Sequence, residues 1–270
     1  MFITRLLSGI VLVAGAVAVI LAGSLPVLAV TFAISIIGLY EYYRAVGIAK
    51  TGPAVIGYLT CVCYYAILFA GRQDLTMFLV ISALMAMMAV YVLTFPRYHI
   101  TKIAEASVGI IYPGIMLSYL WMTRTMPDGV VLVWLIFLSS WGCDTLAYCS
   151  GLLFGKHKLA PVLSPKKTIE GAVGGTVGAA VLGLIFALAM GQFIRESEGA
   201  VFACTCACGI GALISQIGDL TASGIKRNYE IKDYGTLIPG HGGVLDRFDS
   251  MVFTAPAIYF ALLFLVSTGG

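Results

Sequence analysis

Two aspartates lie inside long apolar runs, Asp144 within residues 130–151 and Asp219 within residues 200–222. A further pair, Asp246 and Asp249, opens the last apolar run, and their i, i+3 spacing puts both on one face of a helix. A carboxylate at bilayer depth costs about 3 kcal/mol on insertion scales, so it marks a partner charge, an ion path or a site. Four like charges in one dry pocket either raise one another's pKa or require cations. A hard ion such as Mg2+, held by one or two carboxylates plus phosphate oxygens, suits that arrangement. Helix–helix ion pairing, for example Asp246 with Arg247 or Lys226, accounts for one aspartate as readily as a site does. It accounts poorly for all four.

Two polar segments carry the complementary charge. The segment 154–171 holds Lys156, Lys158, Ser164, Pro165, Lys166, Lys167, Thr168 and Glu170. Ser164-Pro165 predicts a stop before a helix that starts near Lys166. The backbone N–H groups of such a start, two lysines and the Thr168 hydroxyl would make an anion site. An ordinary basic loop explains the lysines alone equally well. The segment 223–249 holds Ser223, Lys226, Arg227, Lys232 and the turn Pro239-Gly240-His241-Gly242-Gly243, then Arg247 between Asp246 and Asp249. Glycines permit close backbone approach to a ligand, and a guanidinium held between carboxylates is a fork for phosphate. Together the anion site at the helix start, the glycine turn, the arginine and the four aspartates read as a triphosphate-plus-metal site.

The elements that must position them are membrane helices. Hydrophobic residues make up 60% of the 270-residue chain and charged residues only 11%, too few to coat a water-facing surface of that size. Nine apolar runs can be read directly: 6–21, 27–43, 53–70, 75–95, 103–122, 130–151, 168–193, 200–222 and 247–266. Long continuous runs exclude the alternating segments of a membrane β-barrel. The expected fold is all-α and polytopic, with about nine transmembrane helices. The first two runs, joined at Ser24-Leu25-Pro26, form either a tight hairpin or one interrupted element.

Placing the N-terminus in the cytoplasm puts thirteen of the 16 Lys and Arg residues on that side, leaving Arg72, Arg124 and Arg195 outside. All four aspartates then fall in the inner third of the membrane. Residues 1–129 are expected to form an N-terminal scaffold able to support a homodimer, and residues 130–270 the catalytic region. Seven cysteines lie in apolar segments without a C-x-x-C pair and are read as packing residues.

The run 223–249 resembles the signature of phosphatidate cytidylyltransferases, the CDP-diacylglycerol synthases. Ser223, Lys226-Arg227, Lys232-Asp233 and His241-Gly242-Gly243-x-x-Asp246-Arg247-x-Asp249 occupy every position of that pattern. Asp144-Thr145-Leu146-Ala147-Tyr148, Phe154-Gly155-Lys156 and 164–171 resemble the family's second block, so the likeness covers about 139–250. It implies an enzyme of a bacterial-type inner membrane, its active site facing the cytoplasm, that makes CDP-diacylglycerol and pyrophosphate from CTP and phosphatidic acid with Mg2+. It further implies metal held by Asp144, Asp219, Asp246 and Asp249. Catalysis would involve these and Lys167. Substrate would meet Ser164, Lys166, Lys167, Thr168, Ser223, Lys226, Arg227, Lys232, His241, Gly242, Gly243 and Arg247. No nucleic-acid partner is implied.

Two other readings compete. A CDP-alcohol phosphotransferase also arrays aspartates in membrane helices, but its D-G-x-x-A-R motif is absent. A cation transporter would line a path with Asp144 and Asp219, yet such a path must continue through an outer half that carries almost no charge.

Overall fold

The structure, a computed structural model, describes residues 2–194, 199–238, 240 and 242–267, with side chains from Gly9 to Leu265. Its helices are α1 (Phe2–Ala22), α2 (Ser24–Ala45), α3 (Gly52–Phe69), α4 (Thr76–Leu93), α5 (Ile100–Gly109), α6 (Tyr119–Thr125), α7 (Gly129–Leu132), α8 (Trp134–Phe137), α9 (Cys143–Phe154), α10 (Ile169–Met190), α11 (Ala200–Asn228) and α12 (Leu245–Ser267). Two strands, β1 (Lys158–Ala160) and β2 (Ser164–Thr168), form an antiparallel hairpin between α9 and α10. The fold is that of an all-α polytopic membrane protein. Among the described residues eight helical spans are long and apolar enough to cross a bilayer, and α1 adds a shorter apolar stretch, Gly9–Ala22.

The first two runs are separate helices. Gly23 breaks them with φ 125°, a conformation that costs any residue with a Cβ. The spans Ile100–Thr125 and Gly129–Phe154 are each assembled from shorter pieces. In the first, Pro113 lacks an N–H, and the helix widens to i→i+5 bonding over Ile110–Ile115. In the second, the same widening occupies Leu138–Gly142, directly before Asp144.

The chain divides into two compact units, one of Met1–Ser118 with Tyr229–Arg247, the other of Tyr119–Asn228 with Phe248–Gly270. In the first, polar side chains between helices are paired, as an apolar surrounding demands. The Tyr43 hydroxyl donates to the Ala106 carbonyl at 2.7 Å, and Ser35 bonds Tyr65 at 2.8 Å. Thr51 caps α3, accepting from the Ala54 N–H, with Pro53 in the first turn where its missing N–H costs nothing.

In the second unit, α10 packs on α9 and α11 through its glycines. A Cβ at Gly175 would meet the Ala147 Cβ at 2.8 Å, and one at Gly183 the Cys204 carbonyl at 2.7 Å. Gln216 crosses from α11 to donate to the Thr176 hydroxyl at 2.9 Å and the Ala172 carbonyl at 3.1 Å.

Candidate active site

In the second unit, packing brings three of the four aspartates together. Gly218 is the point of closest approach between α11 and α12: a Cβ there would lie 2.9 Å from the Phe253 Cβ and 3.0 Å from the Asp249 carbonyl. Asp219 follows Gly218 directly, so this contact sets Asp219 beside the first turns of α12. Asp144 begins α9, and its carboxylate accepts from the Ser250 hydroxyl of α12 at 3.4 Å. Asp249 is nearly buried, accepts the Ser250 N–H at 2.8 Å, and lies within electrostatic reach of Asp219, Lys226 and Asp144. Lys167 forms an ion pair with Asp219, both side chains being about one quarter exposed (27% and 26%).

Lys167 reaches Asp219 from a strand. The helix expected to begin near Lys166 begins at Ile169, and Lys166 and Lys167 belong to β2. Pro165 disfavours helical backbone at Ser164, and Thr168 is extended (φ −118°, ψ 154°), its hydroxyl accepting the Gly171 N–H at 3.1 Å as the helix cap. Strand alternation then sends neighbouring lysines to opposite faces. Lys166 is exposed, while Lys167 is half-buried on Asp219. Ser164 pairs with Ala160 in the hairpin. Thr168 serves the α10 cap, so its hydroxyl is occupied by the helix start. On α11, Ser223 and Lys226 are half-buried and Arg227 is exposed.

The first unit holds the rest of the signature. Asp246 takes two backbone donors on one carboxylate oxygen, the Tyr234 N–H at 2.8 Å and the Gly243 N–H at 2.9 Å. Gly242 has φ 90°, and a Cβ there would sit 2.9 Å from that same oxygen. Among the described residues the buried Arg247 Nε has no hydrogen-bond partner. Lys232 is exposed, and His241 lies outside the described residues. Asp246 thus belongs to the first unit and Asp249 to the second, three residues apart on one helix.

One residue of this region was missed from the sequence. Glu41, 4% exposed on α2, accepts the N–H groups of Val244 at 3.0 Å and Leu245 at 2.8 Å, satisfying the start of α12. Gly235 and Gly243 make room for it, since a Cβ on either would collide with its carboxylate. Arg44, one turn further along α2, donates to the Tyr234 carbonyl at 2.5 Å. The signal was present: a carboxylate inside an apolar run is uncommon enough to be singled out.

Among the described residues no three His, Cys, Asp or Glu side chains group closely enough to cage a metal. Mg2+ does not need such a cage, because it keeps waters and substrate phosphates on one or two carboxylates. The donors in the second unit are all oxygen, from Asp144, Asp219, Asp249 and Ser250, which is the donor chemistry of Mg2+ rather than of a thiolate or imidazole metal.

The second unit thus sets Asp144, Asp219 and Asp249 with Lys167 and Ser250 among membrane-spanning helices. A family model described as the cytidylyltransferase family matches residues 3–265, and the chain belongs to that family. The match takes in the N-terminal half, where the sequence alone offered only hydropathy. A protein of Staphylococcus saprophyticus named phosphatidate cytidylyltransferase is 38% identical over 191 residues, 71% of each chain. Proteins of the same name from Staphylococcus haemolyticus and Staphylococcus aureus strain COL are 37% and 40% identical over 172 residues, 64% of each chain. With apolar spans and bacterial relatives, the protein is an integral protein of a bacterial plasma membrane.

Proposed function

We propose that the chain is a phosphatidate cytidylyltransferase, transferring CMP from CTP to phosphatidic acid to give CDP-diacylglycerol and pyrophosphate. The observation that carries this reading is the Lys167–Asp219 ion pair beside Asp144, Asp249 and Ser250, in a chain that belongs to the cytidylyltransferase family. A lone membrane carboxylate has many uses. Three of them with a held lysine, next to Lys226, make a place where two polyanions can be brought together.

In the reaction a phosphate oxygen of the lipid attacks the α-phosphorus of CTP. The new P–O bond forms as the bond to pyrophosphate breaks. The lipid phosphate is already ionised near neutral pH, so no strong general base is required. Catalysis is then positioning and charge neutralisation. Lys167, fixed by Asp219, and Lys226 bind phosphate oxygens. Arg247, whose Nε has no hydrogen-bond partner among the described residues, would by its place in the signature add a donor for phosphate. The resemblance of the signature gives Ser164, Lys166, Thr168, Ser223, Arg227, Lys232, His241, Gly242 and Gly243 to substrate binding. Asp144, Asp219 and Asp249 would hold Mg2+, and the resemblance of the signature gives Asp246 the same role. Bound there, Mg2+ supplies charge to the triphosphate and to the departing pyrophosphate. The positive-inside count supports a site on the cytoplasmic face, and residues 130–270 are read as the catalytic region and residues 1–129 as a scaffold and dimer surface.

Purified protein in detergent, given labelled CTP, phosphatidate and Mg2+, should release pyrophosphate and form CDP-lipid. Absence of CTP-dependent CDP-lipid overturns the reading. Loss of product on chelation, restored by Mg2+ but not by Ca2+, is the outcome expected for the metal.

A further inference from the structure

The β1–β2 hairpin connects two spans without a linker. The span ending in α9 stops at Phe154, and α10 begins at Ile169. Chain continuity therefore holds the hairpin at the surface of the bilayer that both helices cross. Its base is fixed: the Glu170 carboxylate accepts the N–H groups of Lys156 at 3.1 Å and His157 at 3.2 Å and bonds the His157 ring at 2.6 Å. Its tip is Pro161-Val162-Leu163. Val162 is 86% exposed, and Leu152, Leu153 and Phe154 at the end of α9 are 66–73% exposed. Lys156, Lys158 and Lys166 are exposed too, and among the described residues none of the three forms an ion pair. Among the described residues Lys167 is the one lysine of the hairpin that pairs with a carboxylate.

An apolar tip ringed by unpaired lysines, held at a membrane surface, fits acyl chains below and anionic headgroups around it. A water-facing tip would leave Val162 exposed with no compensating contact. We propose that the hairpin is a docking element for the bilayer surface, seating Val162 among acyl chains and Lys156 and Lys158 on the phosphate groups of anionic phospholipid. The docking itself stands without the cytidylyltransferase reading. Its consequence, enrichment of an anionic lipid substrate next to Lys167, rests on that reading.

The test has two arms. Val162→Trp protein is reconstituted in phosphatidylcholine vesicles that contain acyl-brominated lipid, with and without phosphatidylglycerol. Its emission is compared with that of wild type, which has 3 tryptophans. Additional emission that is blue-shifted and quenched by bromine is the expected result. Additional emission that is water-like and unquenched overturns docking, whether or not the protein makes CDP-lipid. In the second arm, Lys156→Gln/Lys158→Gln protein should show a surface KM for phosphatidate raised about fivefold or more in vesicles. Its kcat and its KM for CTP should stay unchanged. The difference should shrink at high salt and disappear in neutral detergent. An unchanged surface KM overturns the headgroup contact.

Discussion

The Glu41 carboxylate accepts the backbone N–H of Leu245 at 2.8 Å, across 204 residues of sequence. Helix starts are usually satisfied by a neighbouring Ser, Thr, Asp or Asn. Here the donors of Val244 and Leu245 go to a carboxylate on another helix, and the start of α12, which carries Asp246, is located by α2. Glu41→Ala leaves both N–H groups buried without an acceptor, at about 1–3 kcal/mol each. Glu41→Gln keeps an acceptor oxygen but loses the charge. Thermal unfolding in detergent should rank wild type above Gln above Ala, and CDP-lipid synthesis should fall in the same order.

Asp246 and Asp249 separate by substitution type. Both Asn variants should lose turnover by about 10²–10³-fold, the scale of losing one charge-stabilising group. Asp246→Asn retains an oxygen for the N–H groups of Tyr234 and Gly243, so its unfolding temperature should stay near that of wild type. Asp246→Ala leaves those donors unmet and should lower stability by a further 1–3 kcal/mol or so. Equal stability of the Ala and Asn variants would show that these two bonds contribute little.

Tyr229 gives a pH signature. Its hydroxyl donates to Glu105 at 2.6 Å, and burial together with that carboxylate pushes the phenol up to about 12. The folded state therefore holds this proton more tightly than the unfolded chain, whose tyrosine titrates near about 10. The resulting stability is complete below that lower value and is lost as pH rises toward 12. Thermal stability should decline above about pH 10 in wild type, and Tyr229→Phe should remove that part of the decline while showing no change in activity with pH near neutrality.

Gly218 tests the contact that sets Asp219 beside Asp249. Gly218→Ala forces a methyl against the Phe253 Cβ and the Asp249 carbonyl and should cost about 1–3 kcal/mol and much of the turnover. Gly209, on the same helix, is the control. A Cβ there meets the Ala180 Cβ at 3.6 Å, an ordinary contact, and Gly209→Ala should keep both activity and stability.

The spans were legible because a long apolar run needs no knowledge of its neighbours, and the described helices follow the runs closely except that α11 continues to Asn228, through Ser223, Lys226 and Arg227, which were read as loop. Asp144, Asp219 and Asp249 were legible for the converse reason: a charge in such a run is costly and therefore conspicuous. The start of α10 was not. Lysines and a proline suit a first helical turn and a strand about equally, and the pairing of Lys158 with Thr168 decides it. Nor did spacing reveal the widened turn before Asp144, in which Ser139 and Ser140 are buried. Glu41 stood in plain view, but what it bonds is 203 and 204 residues away, and no local pattern encodes such a pair. The interleaving of residues 229–247 with the N-terminal helices was hidden for the same reason.

That interleaving bears on how the chain is made. α2 leaves the ribosome early, with Glu41 bound for an apolar bundle, while Val244 and Leu245 are translated only after α11. A nascent chain arrested before them carries a carboxylate in the membrane without the two donors that satisfy it in the finished protein. The N-terminal unit is therefore incomplete until its last segment arrives, so the maturation of early helices reports on synthesis of the late ones. Truncated chains would present that unmet charge to membrane proteases.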